Sequence, residues 1–147
     1  MKFTCNQLEL TRTLNIVSKA ISSRTTIPTL KGINININSG IATFTASDMD
    51  ITIENSMEVS NSEDGSIVVQ AKLFGDIVRK LPNNDIEFTC EDEKITIKCL
   101  TSEFSLVGMS SDEFPNIKNT EDDAKELTFD KGKFAEMIRK TSFAASI

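Results

Sequence analysis

The sequence has 147 residues, 39% hydrophobic and 26% charged, with a formal net charge of −6. That make-up suits a globular domain and excludes a disordered or fibrous chain. Three cysteines and no histidine exclude an imidazole base or ligand, and the odd thiol count points to a reducing, cytoplasmic setting rather than a disulfide framework.

Lys2–Cys5 reads as a short strand running into a helix. Asn6 is a good N-cap with Glu9 three residues on, as in a capping box. Leu10, Leu14, Val17 and Ile21 recur at helical spacing as one apolar stripe, with Arg12, Lys19 and Arg24 off it. The stretch SSRTTIPTLKG (22–32) reads as a loop or extended segment, because Pro28 opposes a helix. Ile33, Ile35 and Ile37 then alternate with Asn34, Asn36 and Asn38, the period of a half-buried strand. After a turn at Asn38-Ser39-Gly40, Ala42, Phe44 and Ala46 continue the alternation. Ile51, Ile53, Met57 and Val59 mark a third strand, and Asn61–Gly65 a polar turn.

Strand Ser66–Val69 leads to a second helix, with Gln70 at the cap position. Phe74, Ile77, Val78 and Leu81 share one face, and Lys72, Arg79 and Lys80 lie off it. Beyond a turn at 83–85, Ile86, Phe88 and Cys90 form one strand face, and Ile95, Ile97 and Cys99 the next. With Asp92-Glu93 as the turn between them, Cys90 faces Ile95 rather than Cys99. Ser102–Val107 is a further strand with Phe104 and Leu106 on one side, and Ser110–Asn116 a loop. A strand-helix-three-strand unit thus occurs twice, an α+β domain with strands packed beneath two helices.

An acidic stretch containing Glu121-Asp122-Asp123 precedes a third copy, which opens at Glu126 with a strand and a helix capped by Asp130. Phe134, Met137, Ile138 and Thr141 share one face of that helix. The three caps lie at offsets of 64 and 124 residues from the first, the mark of one repeated block. The third copy lacks its sheet, so its helix is expected to fray or to dock on another chain.

Charge follows the repeat. Residues 6–24, 70–82 and 130–147 hold ten basic and four acidic side chains, and the rest of the chain six basic and eighteen acidic. Glu favours helices as much as Lys and Arg do, so propensity alone does not produce this segregation. Positive helices on a protein acidic elsewhere suit a polyanion held on one side. With no Trp or Tyr, aromatic stacking on single strands is disfavoured. This leaves Lys and Arg contacts to phosphates.

In order and spacing, the chain resembles the bacterial sliding clamp family, the β subunit of DNA polymerase III. The matching pieces are Met1-Lys2-Phe3-Thr4, Ser23-Arg24 with Ile27-Pro28-Thr29-Leu30, and Ala46-Ser47-Asp48-Met49-Asp50. Ala71-Lys72 with Phe74, Arg79-Lys80-Leu81-Pro82, Phe104-Ser105-Leu106 and Phe114-Pro115-Asn116 complete the match. The resemblance implies three similar domains per subunit and head-to-tail homodimerisation into a ring around duplex DNA. Basic helices would line the hole and sheets form the outside. Residues 1–118 would then be the N-terminal domain of the DNA-clamp fold, 119–125 an acidic linker and 126–147 the truncated start of a second domain.

The same resemblance places DNA contacts on Arg24, Lys72 and Arg79. It places the subunit interface on Phe104, Leu106 and Leu73, the last at a position often basic in the family. DNA polymerase III and the clamp loader would be partners of the full-length protein, with no cofactor and no membrane. The family's pocket for partner peptides lies outside this chain.

Other chemistry is weakly signalled. Asp48 and Asp50 could hold a divalent ion, but a polar turn accounts for them better. Cys5 could be an activated thiolate, yet reads best as a buried strand residue. Gly32, Gly40 and Gly65 stand singly, so no phosphate loop exists. The expected function is a non-enzymatic, sequence-independent clamp. The alternative is a non-catalytic α+β interaction module whose basic helical face meets an acidic partner.

Overall fold

A computed structural model describes residues 1–22, 25–115 and 127–145. The chain divides into two compact units, Met1–Ile117 and Lys118–Ile147.

In the first unit, β1 (Lys2–Asn6) buries Phe3 and Cys5 by alternation and passes directly into α1 (Gln7–Val17). Asn6 keeps an extended backbone, and its Oδ1 accepts from the Leu8 amide at 3.0 Å, so the expected cap is in place. Leu10, Leu14 and Val17 are the buried stripe. The helix is shorter than the periodicity suggests. The Ser18 amide turns back on the Leu14 and Ile16 carbonyls, the chain tightens into a 3-10 turn (Ser18–Ala20), and Ile21 departs extended. Ala20 is buried and Ile21 packs half-buried against the core from outside the helix. The segment read as irregular also contains a 3-10 turn, Pro28–Lys31, with Pro28 at its start. A proline there forfeits no needed donor and its fixed φ suits a helix start.

β2 (Gly32–Asn38), β3 (Ile41–Ser47) and β4 (Thr52–Glu58) form an antiparallel meander. The chain then leaves that sheet. Where the sequence signals a turn, β5 (Ser60–Glu63) runs antiparallel to β1. Lys2 faces Glu63 and Thr4 faces Ser60, so β5 carries an extra residue, with Asn61 at φ 47°. Asparagine tolerates that conformation, and Asn61 Nδ2 donates to Thr4 Oγ1 at 3.4 Å. The turn residues were therefore a bulge signal. Next come β6 (Gly65–Gln70), α2 (Ala71–Lys80), β7 (Asp85–Glu91), β8 (Lys94–Cys99) and β9 (Ser102–Val107). Gln70 sits at the N-cap of α2 but provides no side-chain cap.

Two antiparallel sheets result, in the orders β5-β1-β7-β8-β9 and β4-β3-β2-β6. The halves exchange their lead strands: β1 pairs with β7 of the second repeat, and β6 pairs with β2 of the first. The helices meet start to end, since Gln7 Nε2, buried, donates to the Val78 carbonyl at 2.8 Å. Phe3 of β1 stacks on Phe88 of β7 at 4.8 Å and meets Phe44 of β3 edge-on at 6.4 Å. Phe74 of α2 meets Phe88 edge-on at 5.9 Å. One aromatic cluster thus joins both sheets and a helix.

The second unit holds α3 (Lys131–Thr141), where Asp130 Oδ1 accepts from the Lys133 amide at 3.0 Å. The strand expected before it does not form over residues 127–130; a strand without a ladder partner leaves its backbone groups unpaired. Every described residue of this unit is exposed, Phe134, Met137 and Ile138 among them.

Backbones approach closely where β2 begins. A Cβ on Gly32 would lie 2.5 Å from Val68 Cγ1, 3.0 Å from the Val69 carbonyl and 3.1 Å from the Thr29 carbonyl. Two of those atoms are backbone held in the β2–β6 ladder or the adjoining turn, so they yield little. Gly32→Ala is expected to cost about 1–3 kcal/mol, read as a lowered denaturant midpoint with an unchanged slope.

Candidate functional site

Of the first unit's described cations, Arg12, Lys19, Lys31, Lys72, Arg79 and Lys80 stand on helical segments and Lys2, Lys94 and Lys98 on strands. In α2, Ala71, Phe74, Gly75, Ile77 and Val78 are buried. Lys72, Leu73, Arg79 and Lys80 are exposed and Asp76 is half-buried. Spacings of four and three put Lys72, Asp76 and Arg79 on one stripe. Within that stripe Arg79 Nη2 pairs with Asp76 Oδ1 at 2.7 Å. The guanidinium folds back over Gly75, where an added Cβ would sit 3.1 Å from Nη1. Lys72 and Lys80 have no ion-pair partner among the described residues. On the first helical segment Arg12 and Lys19 are exposed. Arg12 borders an open cleft of about 570 Å³ with Glu9, Thr13, Met57 and Glu58. Arg24 lies outside the described residues. The pairing of Arg79 with Asp76 and the glycine beneath it were not recognised in the sequence, although the D-x-x-R spacing carries the signal.

Phe104 and Leu106 share one face of β9. They pair with Ile97 and Ile95, which are fully buried, yet Phe104 is 40% exposed and Leu106 half-buried. The core face therefore runs out to an open sheet edge with incomplete cover. The Gly108 amide donates to the Glu93 carbonyl at 2.7 Å. By antiparallel alternation, the bonded pairs of β8 and β9 are then 95/106 and 97/104, and the amides and carbonyls of Glu103, Ser105 and Val107 point to the free edge. Leu73, on α2, is 45% exposed.

Two sheets beneath paired helices, with edge strands that have no ladder partner among the described residues, define a clamp-type domain. Residues 1–118 match the family model for the DNA polymerase III beta subunit, N-terminal domain, and the chain belongs to that family. It is 39% identical to the beta sliding clamp of Halalkalibacterium halodurans, over 99% of this chain and 40% of that protein. It is 38% identical to that of Bacillus subtilis, over 99% and 41%. Among solved structures, the DNA polymerase III subunit beta of Pseudomonas aeruginosa matches with a TM-score of 0.92 and 25% identity, over all of this chain and 40% of that one. A putative DNA polymerase III beta subunit from Eubacterium rectale matches with a TM-score of 0.89 and 35% identity, over 97% and 39%. The chain thus spans about two fifths of the length of these relatives.

The remaining chemistry-bearing groups are occupied structurally. Asp48 Oδ1 accepts from the amides of Asp50 at 3.1 Å and Ile51 at 2.8 Å, which makes it the polar turn. Among the described residues no helix is long and apolar enough to cross a membrane. Cys5, Cys90 and Cys99 are all buried free thiols, and Cys90 faces Ile95. Burial first, then Glu9 and Asp85, push the Cys5 thiol up to about 12. An unfolded cysteine titrates near ~8.5, so the folded state holds the proton longer. The resulting stabilisation is complete below that value and is lost as the pH climbs from there towards about 12. At pH 9 iodoacetamide is expected to leave native Cys5 unmodified and to alkylate it in denaturant, as read by peptide mass. Rapid native labelling would overturn this assignment.

Proposed function

We propose that this chain is the N-terminal part of a sliding clamp, a non-enzymatic processivity factor that encircles duplex DNA and tethers the replicative polymerase. Residues 1–118 form its first domain, 119–125 an acidic linker and 126–147 the opening of a second domain. The full-length protein works in the cytoplasm as a homodimeric ring and meets DNA polymerase III and the clamp loader. The observation that carries this reading is the exposure of Lys72, Arg79, Lys80, Arg12 and Lys19 along the helical segments of a family domain whose other segments are strongly acidic.

Such cations neutralise phosphates without reading sequence, and their binding weakens with salt. Contacts of this kind give Kd of ~10⁻⁴–10⁻⁶ M. That weakness suits a ring: topology retains the DNA, so the lining can grip loosely and slide. Arg24 and Lys72 are the principal phosphate contacts. Arg79 is the weaker one, because Asp76 already neutralises much of its charge. Phe104, Leu106 and Leu73 meet the neighbouring subunit.

In the full-length protein, Lys72→Ala and Arg24→Ala are each expected to lower duplex affinity for all sequences alike and to reduce the salt slope by about one. Asp76→Asn is expected to raise affinity by releasing Arg79. Fluorescence anisotropy across a salt series reads all three. Unchanged affinity in both cation variants would refute these contacts. Salt-insensitive indifference to DNA, with capture of an acidic protein, would favour the interaction module.

A further inference from the structure

The outer face of the five-stranded sheet carries one charged row across every strand. Glu63 of β5 faces Lys2 of β1. Lys2 Nζ pairs with Glu87 Oε1 of β7 at 2.8 Å. Glu87 faces Lys98 of β8, and Lys98 Nζ pairs with Glu103 Oε2 of β9 at 3.4 Å. Sign alternates at every step: acid, base, acid, base, acid. The coupling is felt along the row, since the hydrogen bond from Lys2 and the charges of Lys2 and Lys98 all hold the Glu87 carboxyl below its ordinary value. Cross-strand neighbours of opposite sign stabilise a sheet and like charges directly opposite destabilise it.

The row stops at an open end. Glu103 is the last acid, on the strand whose outward amides and carbonyls at 103, 105 and 107 have no ladder partner among the described residues, and Val107 beside that edge is 78% exposed. We infer that the strand which completes this sheet at β9 presents a lysine or arginine opposite Glu103, as the sixth member of the row, and sets apolar side chains against Phe104 and Leu106. The inference rests on β9 being the subunit joint and names what that joint selects.

The other free edge strands of this same domain, β4 and β5, are excluded as the occupant: β5 carries Glu63 and no cation. β4 shows Thr52, Glu54, Ser56 and Glu58 on its outer face and no cation. A second copy's β4 laid on β9 would bring carboxylates to Glu103. The occupant is therefore an edge strand from a different domain of the partner subunit, and the charge row guards the head-to-tail order against copies of this domain stacking on one another.

The test uses the full-length dimer, with subunit exchange and sedimentation giving the dimer Kd across a salt series, and the thermal midpoint monitoring the fold. Glu103→Gln is expected to weaken the dimer about fivefold, and Glu103→Lys by about tenfold or more at low salt. Both should flatten or invert the salt dependence of the wild type. Leu106→Ala, which removes apolar contact and no charge, is expected to weaken the dimer with its salt slope intact. If Leu106→Ala weakens the dimer while Glu103→Lys leaves Kd and slope unchanged, the charge row does not reach the partner and the inference fails, with the joint standing. A tighter dimer in Glu103→Lys would mean an acidic partner residue and would also overturn it. If none of the three variants moves Kd, β9 is not the joint.

Discussion

Phe3 lies in a sheet whose other long strands come from the far half of the first unit, and this crossing holds the two repeats together. β1 pairs with β7, and β6 pairs with β2, so each repeat completes the other's sheet. The inner face of β7 is covered across the repeat: Phe88 meets Phe3 of β1 and Phe74 of α2. The stacked Phe3–Phe88 pair and the edge-on contacts of Phe44 and Phe74 sit where the halves interlock. The buried Gln7 side chain adds a bond from the start of α1 to the end of α2. Such long-range pairing ties stability to the whole unit rather than to either repeat.

The interlock dictates where charge can go. Helices that cover the core on one side leave only their outer stripes to solvent, and those stripes carry Lys72, Arg79, Lys80 and Arg12. The outer faces of the strands carry Glu54, Glu58, Glu63, Glu87 and Glu103, and the last three, on the five-stranded sheet, alternate with Lys2 and Lys98. The acidic surplus is thus partly internally paired, while the helix cations are mostly left open. A polyanion would be attracted to one side and repelled by the loops and strands elsewhere. Arg79 shows that this openness is graded, because Asp76 engages it within the same helical turn.

Edges are the other consequence. The five-stranded sheet ends in β5 and β9 and the four-stranded sheet in β4 and β6, and an exposed edge invites pairing with any passing strand. β9 and β4 are unlike in chemistry. β9 offers incompletely covered apolar side chains and a terminal acid. β4 offers Glu54 and Glu58 outward and an inner face tied to α1, through Asn55 donating to Thr13 at 3.0 Å. The chain that follows β9 protects a third edge, where Met109 and Val68 exchange amide-to-carbonyl bonds on the outer side of β6. Gly108 permits that crossing, since a Cβ there would lie 2.6 Å from Ile67.

Much of this was legible in the linear pattern. Period-two runs such as Ile33-Ile35-Ile37, helical stripes such as Leu10-Leu14-Val17, and the cap positions Asn6, Gln70 and Asp130 depend on residues close in sequence, and local physics fixes them. What failed were stretches whose local preference was overruled from a distance. Residues 60–63 became a strand because β1 offered an edge. Ile21 left its helix after the chain tightened into the 3-10 turn Ser18–Ala20. Residues 127–130 formed no strand without a partner. The alternating row from Glu63 to Glu103 was invisible because it exists only after register is set. Sequence alone therefore determined which strongly periodic segments were helix or strand, which of their faces were apolar, and that cations outnumber acids on the helices. The tertiary structure decided which strands paired across the repeat, which edges stayed open and which charges became neighbours, because those choices rest on contacts between residues far apart in the chain.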